Sequence, residues 1–495
     1  MFFNRNKEEV TNHEGARAVA LSDEMQLYTL VCSSVLNEKF YESATEQLHR
    51  MQVLVASVSP EFTASLAIYA REQMYLRTVP LVLTVLLSQR KDFRYLKALT
   101  QRVVQRADEL TDLLVIYQAL NQRSGIKKLN KLSRGIQKGL AAALPKFDAY
   151  QLAKYNRKGA VTLKDVIRLT HPHPDSEERS LLYKQVLEDT LPTPYTWETR
   201  LSQAGQQGES QTEVWQELID SQKVGYMALL RNLRNILQAG VSESHLDQVL
   251  QRLADPKEVL KSKQLPFRYY SAYRSVDDLN SPFAEKVVLA LEEALLLSMD
   301  NLELLQNKKV VIAADVSGSM QTNVSSKSVI QYYDIGLILA MLAHARLKDS
   351  ITGIFGDTWK VKTFPRESVL RNVAALRQIE GEVGYSTNGF EVLKWALLQK
   401  VKADLFLFFT DCQMWDSTSG ANSMATWWES YKKFQPQAQL VLFDLAGHGT
   451  SPVQILSQNV CLVGGWSDRV FEMLSAISKG SEALEKVKAI KLSAI

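Results

Sequence analysis

From the N-terminus to about residue 300, apolar positions return at three- and four-residue intervals, and strand-like alternation is nearly absent. Ser22 is placed to cap a helix running to Leu36, because its hydroxyl can accept an open N–H of the first turn. A second helix follows from Glu42 to Val55. Pro60 opens the next, with Phe62, Leu66 and Tyr69 on its apolar stripe, and Pro80 begins another apolar stretch. Phe93 to Val104 and Asp108 to Leu120 continue the pattern. Short connections between helices of ~10–16 residues predict stacked helix pairs, an all-α HEAT-like solenoid with degenerate repeats and no strict period.

The pattern changes near Lys308, where a β-branched apolar run ends at Asp315. Val329 to Ala345 reads as a helix. Ile351 to Phe355 and Lys360 to Phe364 read as strands, and Val369 to Ile379 and Phe390 to Leu398 as helices. Ala403 to Thr410 is a buried strand ending at another acid, Asp411; Gln439 to Leu445 and Val460 to Val463 complete the set. Strands alternating with helices predict an α/β domain on a mainly parallel, Rossmann-like sheet. The boundaries expected are 1–300 for the helical part and 301–495 for the α/β part. A chain of 495 residues is too long for one ordinary core, which agrees with more than one domain.

Asp315, Ser317 and Ser319 alternate in the turn after the first strand, so three oxygens can face one point, and Gly318 lets the backbone bend closely. Thr387 lies in a turn-rich loop before a helix, and Asp411 ends another strand. Hydroxyl and carboxylate oxygens suit a hard divalent cation, Mg²⁺ first. The plainer alternative is a hydroxyl turn with an aspartate cap and no metal.

A net charge of +4 names no partner, but the charge is unevenly spread. Residues 121–158 hold ten Lys and Arg against one acid, Asp148. On a helix, Lys127, Lys131, Arg134 and Lys138 would share one face, with Leu129, Leu132, Ile136 and Leu140 on the other. Such a ridge suits phosphate backbones. A solvated lysine face is the ordinary reading of such a helix; the near absence of acids favours nucleic acid here.

Hydrophobic residues at 46% and charged residues at 23% are ordinary for a globular protein. Cys32, Cys412 and Cys461 are far apart and without metal-ligand spacing, which fits a reducing, cytoplasmic compartment. The start of the chain does not read as a secretory signal. The longest apolar runs, Val79 to Leu87 and Ile335 to Ala343, are about half of a ~20-residue span, so no membrane is expected.

Beyond the ridge, Lys154-Tyr-Asn-Arg-Lys158 leads to Leu-Thr-His171-Pro. This resembles the TROVE module of the Ro ribonucleoprotein family. Asn12-His-Glu-Gly-Ala, Tyr69-Ala-Arg71, Leu76-Arg77 and Pro80 fit the same resemblance. So does the join to a domain carrying the Asp315–Ser319 motif, which is similar to the metal-ion-dependent adhesion site of von Willebrand factor A domains. The resemblance covers essentially the whole chain. It implies a HEAT-like ring bridged by the A domain, Y-like small RNA bound outside, and single-stranded 3′ ends of misfolded RNA passing through the hole. It carries RNA contact to Lys154, Lys158 and His171, with Arg157 beside a lysine where the family often has arginine. It implies a role in RNA quality control, an exoribonuclease such as polynucleotide phosphorylase as a possible partner, and an acidic protein ligand at the A domain. The short form suggests a bacterial or phage-encoded member, acting as a monomer.

Against these readings stand plainer ones. His171 can merely cap a helix end. Trp359, Trp427 and Trp428 read as packing inside the α/β domain rather than as base-stacking platforms. Glu292-Glu293 reads as a solvated helix face. His173, between prolines, lacks further ligands for a metal. No Ser-His-Asp set, P-loop or dinucleotide fingerprint appears, and no general base stands beside Asp315 and Asp411, so a non-enzymatic scaffold is expected. The rival is a metal-dependent protein adaptor.

Overall fold

The computed structural model describes residues 9–33, 44–121, 132–156, 158–277, 279, 281–298, 307–324, 328–414, 422–453, 459–465 and 483–492. They gather into two compact units, one of residues 52–214 with 486–495, the other of residues 1–51 with 215–485.

The first unit is built of helices. Pro60–Glu72 starts where Ser59 accepts the Phe62 N–H (3.2 Å), with proline in the first turn where its missing N–H does no harm. Thr78–Leu87, Leu96–Val103 and Asp108–Leu120 follow the sequence expectation closely. Arg71 pairs with the fully buried Glu109 (2.8 Å), which also accepts the N–H groups of Gln105 and Arg106. This pair explains the arginine of the Tyr69–Arg71 motif as a structural part.

Helix Arg134–Ala143 packs on Leu96–Val103 through two glycines. A Cβ at Gly135 would fall 2.7 Å from Leu96 Cβ, and one at Gly139 would meet Thr100 even more closely. That close approach seats Ile136 and Leu140 in the core and turns Arg134 and Lys138 to solvent. Lys146, one of the cations of the basic segment, is exposed but tied down: its ammonium donates to the carbonyls of Gln101 and Val104 at the end of Leu96–Val103.

The second unit holds the strands of the described residues: β1 (Glu9–Thr11), β2 (Arg17–Ala20), β3 (Val310–Asp315), β4 (Ser350–Phe355), β5 (Trp359–Val361), β6 (Leu405–Thr410), β7 (Gln439–Asp444), β8 (Thr450–Ser451) and β9 (Val460–Gly464). The main sheet has the order β5-β4-β3-β6-β7-β9, parallel except for β5 against β4. β3 and β6 are buried along their whole length, as near-continuous apolar runs in a covered parallel sheet should be. The chain leaves β3 towards β4 and later returns to β6 on the other side, so a crevice opens at the carboxyl ends of β3 and β6. β1 and β2 form a hairpin whose second strand pairs with β8, a small sheet that the sequence reading did not expect.

Helices before residue 300 also join this unit's core. Pro266–Asp277 packs on Tyr332–Arg346. Glu292, buried on Ala284–Leu297, accepts the N–H groups of Leu370 (2.8 Å) and Arg371 (3.3 Å) at the start of Val369–Gln378. The expectation of a solvated Glu292-Glu293 pair is therefore corrected for Glu292; only Glu293 faces solvent. The tryptophans pack as expected: Trp428 is fully buried, edge-on to Phe406 at 5.9 Å, and Trp359 lies 6.1 Å from Trp395. Among the described residues, no helix is long and apolar enough to cross a membrane.

Candidate nucleic-acid interface and metal centre

The basic segment is only partly within the described residues; Lys127, Lys131 and Arg157 lie outside them. Arg134 and Lys138 stand exposed on the outer face of their helix. That helix packs beside Leu163–Thr170, with the Gln137 amide donating to the Leu169 carbonyl (2.6 Å) near its end. Thr162 caps the start of Leu163–Thr170 in a reciprocal box with Asp165, and His171 ends it in the left-handed region (φ 46°). The His171 N–H closes the last turn on Ile167 O (3.0 Å), and its side chain is exposed. His171 is thus a helix cap, as the plainer reading had it, and is also displayed to solvent.

Arg168, one turn before that end, is exposed as well; the sequence reading did not select it. Lys154 closes the helix Ala149–Tyr155, half-buried, with its ammonium 5.7 Å from the Tyr155 ring centre. Arg106 donates to the hydroxyl of that tyrosine (2.6 Å). Lys158 is exposed. The sole acid of the segment, Asp148, is occupied as a helix cap, accepting the Gln151 N–H (2.7 Å).

Ion pairing separates two classes of cation in this unit. Arg71, Arg77, Arg90, Arg102 and Arg106 each face a carboxylate. Arg134, Lys138, Lys158 and Arg168 make no ion pair with any described residue. An exposed run of cations without acids raises the local potential and attracts a polyanion.

In the other unit, parallel register sets Ala314 beside Phe409, so the next residues, Asp315 and Thr410, meet at the crevice. The Thr410 hydroxyl donates to Asp315 Oδ2 (2.5 Å), and the Ser317 N–H donates to Asp315 Oδ1 (2.9 Å). Ser317 and Ser319 hydroxyls are 3.3 Å apart, and Asp411 Oδ1 accepts the Gln413 N–H (3.0 Å). The loop bearing Thr387 is tied in by Gly318 N–H to Tyr385 O and by Asn388 N–H to Gly356 O, each 2.9 Å. Asp315, Ser317, Ser319, Thr387 and Asp411 are all buried.

Burial pushes both aspartic acids up, and the charge of Asp411 pushes Asp315 further. A divalent cation would reverse that penalty. The donors are hydroxyls and carboxylates, the oxygen ligands a hard divalent cation takes; among the described residues, no cluster of three or more His, Cys, Asp or Glu that could hold a metal is present. Sequence reasoning missed Thr410, whose hydroxyl orients Asp315, because its role depends on the register between β3 and β6.

Residues 6–190 and 188–327 match the TROVE domain, and residues 309–477 match the Ro60 vWA domain. Telomerase protein component 1 of Mus musculus is 29% identical over 350 residues, covering 53% of this chain. This chain spans 13% of that protein's length, and the same share of its Rattus norvegicus counterpart, to which it is 27% identical. The RNA-binding protein RO60 of Deinococcus radiodurans is 23% identical over 466 residues, covering 82% of this chain and 84% of that protein. The crystal structure of the Deinococcus radiodurans RO (RSR) protein shares the fold, with a TM-score of 0.58 at 18% identity over 93% of this chain and 100% of that one. The chain belongs to the Ro family, whose members join a TROVE domain to a Ro60-type von Willebrand factor A domain.

Proposed function

We propose that this protein is a non-catalytic RNA-binding scaffold of RNA quality control. It takes a Y-like structured RNA on its basic helical surface and holds single-stranded 3′ ends of misfolded RNA. The observation that carries this reading is the exposed set Arg134, Lys138, Lys158 and Arg168, without acidic partners among the described residues and in the same helical unit as the exposed His171. The name of the Deinococcus relative, an RNA-binding protein, supports it. Lysines and arginines contact phosphates and release counterions, so affinity is salt-dependent and weakly sequence-specific. Lys154 joins this set, and Lys127, Lys131 and Arg157, outside the described residues, are included on the sequence pattern alone. The protein works in the cytoplasm as a monomer, and an exoribonuclease such as polynucleotide phosphorylase can join it through the bound RNA.

A second reading is favoured by the buried hydroxyl–carboxylate set. Asp315, Ser317, Ser319, Thr387 and Asp411 hold Mg²⁺, and the cation captures an acidic side chain of a protein partner. The two roles sit in different units and separate by substitution. Changing Lys154, Lys158 and His171 together to alanine is expected to abolish RNA binding in a filter assay, while Asp315→Ala spares it. RNA affinity that survives the triple change, or is lost with Asp315→Ala alone, contradicts the assignment.

A further inference from the structure

Thr78–Leu87 and Asp108–Leu120 pack together in the first unit, and a cavity of about 350 Å³ lies between them. That volume is within the ~300–1,000 Å³ of small-molecule sites. Leu81, Val115 and Ile116 give the cavity an apolar wall, and Arg77, Glu109 and Asp112 line it with charge.

These charged groups differ in what they already hold. Glu109 is fully buried and is taken by Arg71 and by the N–H groups of Gln105 and Arg106. Arg77 donates through Nη2 to Asp108 (2.7 Å) and through Nε to Glu109 (3.5 Å), which leaves Nη1 to donate elsewhere. The Asp112 carboxylate makes no hydrogen bond or ion pair among the described residues. It stands open to solvent, yet partial loss of water and the charge of Asp108 push its carboxyl above its ordinary value.

An ionised carboxylate is acceptor-only, and its oxygens suit a pair of adjacent donors. A flat ring with such donors on its edge would match both the carboxylate and the apolar wall. Among the nucleobases, guanine sets N1–H and an N2 amino group side by side on its Watson–Crick edge, with the O6 acceptor next to them. Adenine and cytosine offer an amino group beside acceptors, and uracil a lone N–H. Unstacked bases of single-stranded RNA are read on this edge. A cationic side chain would also meet Asp112, but Arg77 shares the cavity. The unit also carries +10 over residues 52–214 with 486–495, which repels cations and draws a polyanion.

We propose that this cavity is a guanine pocket for single-stranded RNA. Asp112 accepts from N1–H and the N2 amino group, Arg77 donates to O6, and Leu81, Val115 and Ile116 face the ring. This inference rests on the RNA reading above, and adds selection of one base to a surface that otherwise meets phosphates.

The test is fluorescence anisotropy of the full chain with a short labelled oligouridine carrying one central guanosine, inosine or adenosine. The guanosine oligomer should bind about tenfold tighter than the adenosine one. Inosine keeps N1–H and O6 but lacks the amino group, and should fall between them. Asp112→Asn exchanges an acceptor for a donor at unchanged size and should level the three affinities. Free guanosine monophosphate lacks the neighbouring phosphates and should compete weakly; competition equal to that of the unlabelled guanosine oligomer overturns RNA as the source of the base. Equal affinity of wild type for the three oligomers, or a guanosine preference that survives Asp112→Asn, overturns the pocket alone. So does binding of N-acetylarginine amide that Asp112→Asn abolishes while no guanosine preference is seen, which would assign the cavity to a cationic side chain. Failure of wild type to bind any oligomer overturns the RNA reading and this inference with it.

Discussion

Glu292 shows how much a single residue's surroundings can reverse its apparent character. It sits at the open start of Val369–Gln378, where N–H groups favour a negative charge, yet burial dominates and pushes its carboxyl up to about 7. Between the ordinary carboxyl range and that value, the folded protein binds a proton that the unfolded chain has released. Stability attributable to this group therefore falls as pH rises through that window. Glu292→Gln keeps an acceptor for the two N–H groups and removes the titration. In denaturant unfolding at pH 5 and pH 8, wild type should lose roughly 1–3 kcal/mol more than the variant. Equal losses would show that Glu292 does not titrate there. The sequence could not reveal this, because its partners lie more than seventy residues away. Asp315, Ser317 and Ser319 were legible since a turn gathers them locally.

Among elements, the helix Arg134–Ala143 sets the direction of the basic face. Gly135 and Gly139 let it approach Leu96–Val103, and that contact fixes which side is exposed. Gly139→Ala is a sensitive probe because two effects differ in sign. On a free helix surface, alanine for glycine stabilises by about 1 kcal/mol; here the added methyl meets Thr100 and should destabilise by roughly 1–3 kcal/mol in thermal or denaturant unfolding. A stabilised variant would mean that the helices are not packed as described. The long amphipathic helices and the buried strands β3 and β6 were legible because their periodicity runs for two turns or more, or ends at a turn signal. β1, β2 and β8 were missed because two to four residues carry too little alternation to separate from a loop. The strand expected from Lys360 to Phe364 is instead Trp359–Val361, since only those residues find partners on β4.

For the whole molecule, the net charge of +4 conceals a basic helical unit, +10 over residues 52–214 with 486–495, and an acidic sheet unit, −6 over residues 1–51 with 215–485. The division follows function as proposed: phosphate attraction in one unit, a cation with its acidic ligands in the other. Residue spacing exposed the charge asymmetry. It did not show which cations are already committed; the structure gives Arg71, Arg102 and Lys146 each a structural partner. The most direct test of the central claim is a filter-binding titration of the full chain with one structured RNA, with and without a single-stranded 3′ tail, at two salt concentrations. Tighter binding to the tailed RNA, falling steeply with salt as several phosphate contacts require, is the expected result. Absent binding, or equal affinity for any polyanion regardless of the tail, would contradict the RNA scaffold and leave the cation-bearing unit as the seat of function.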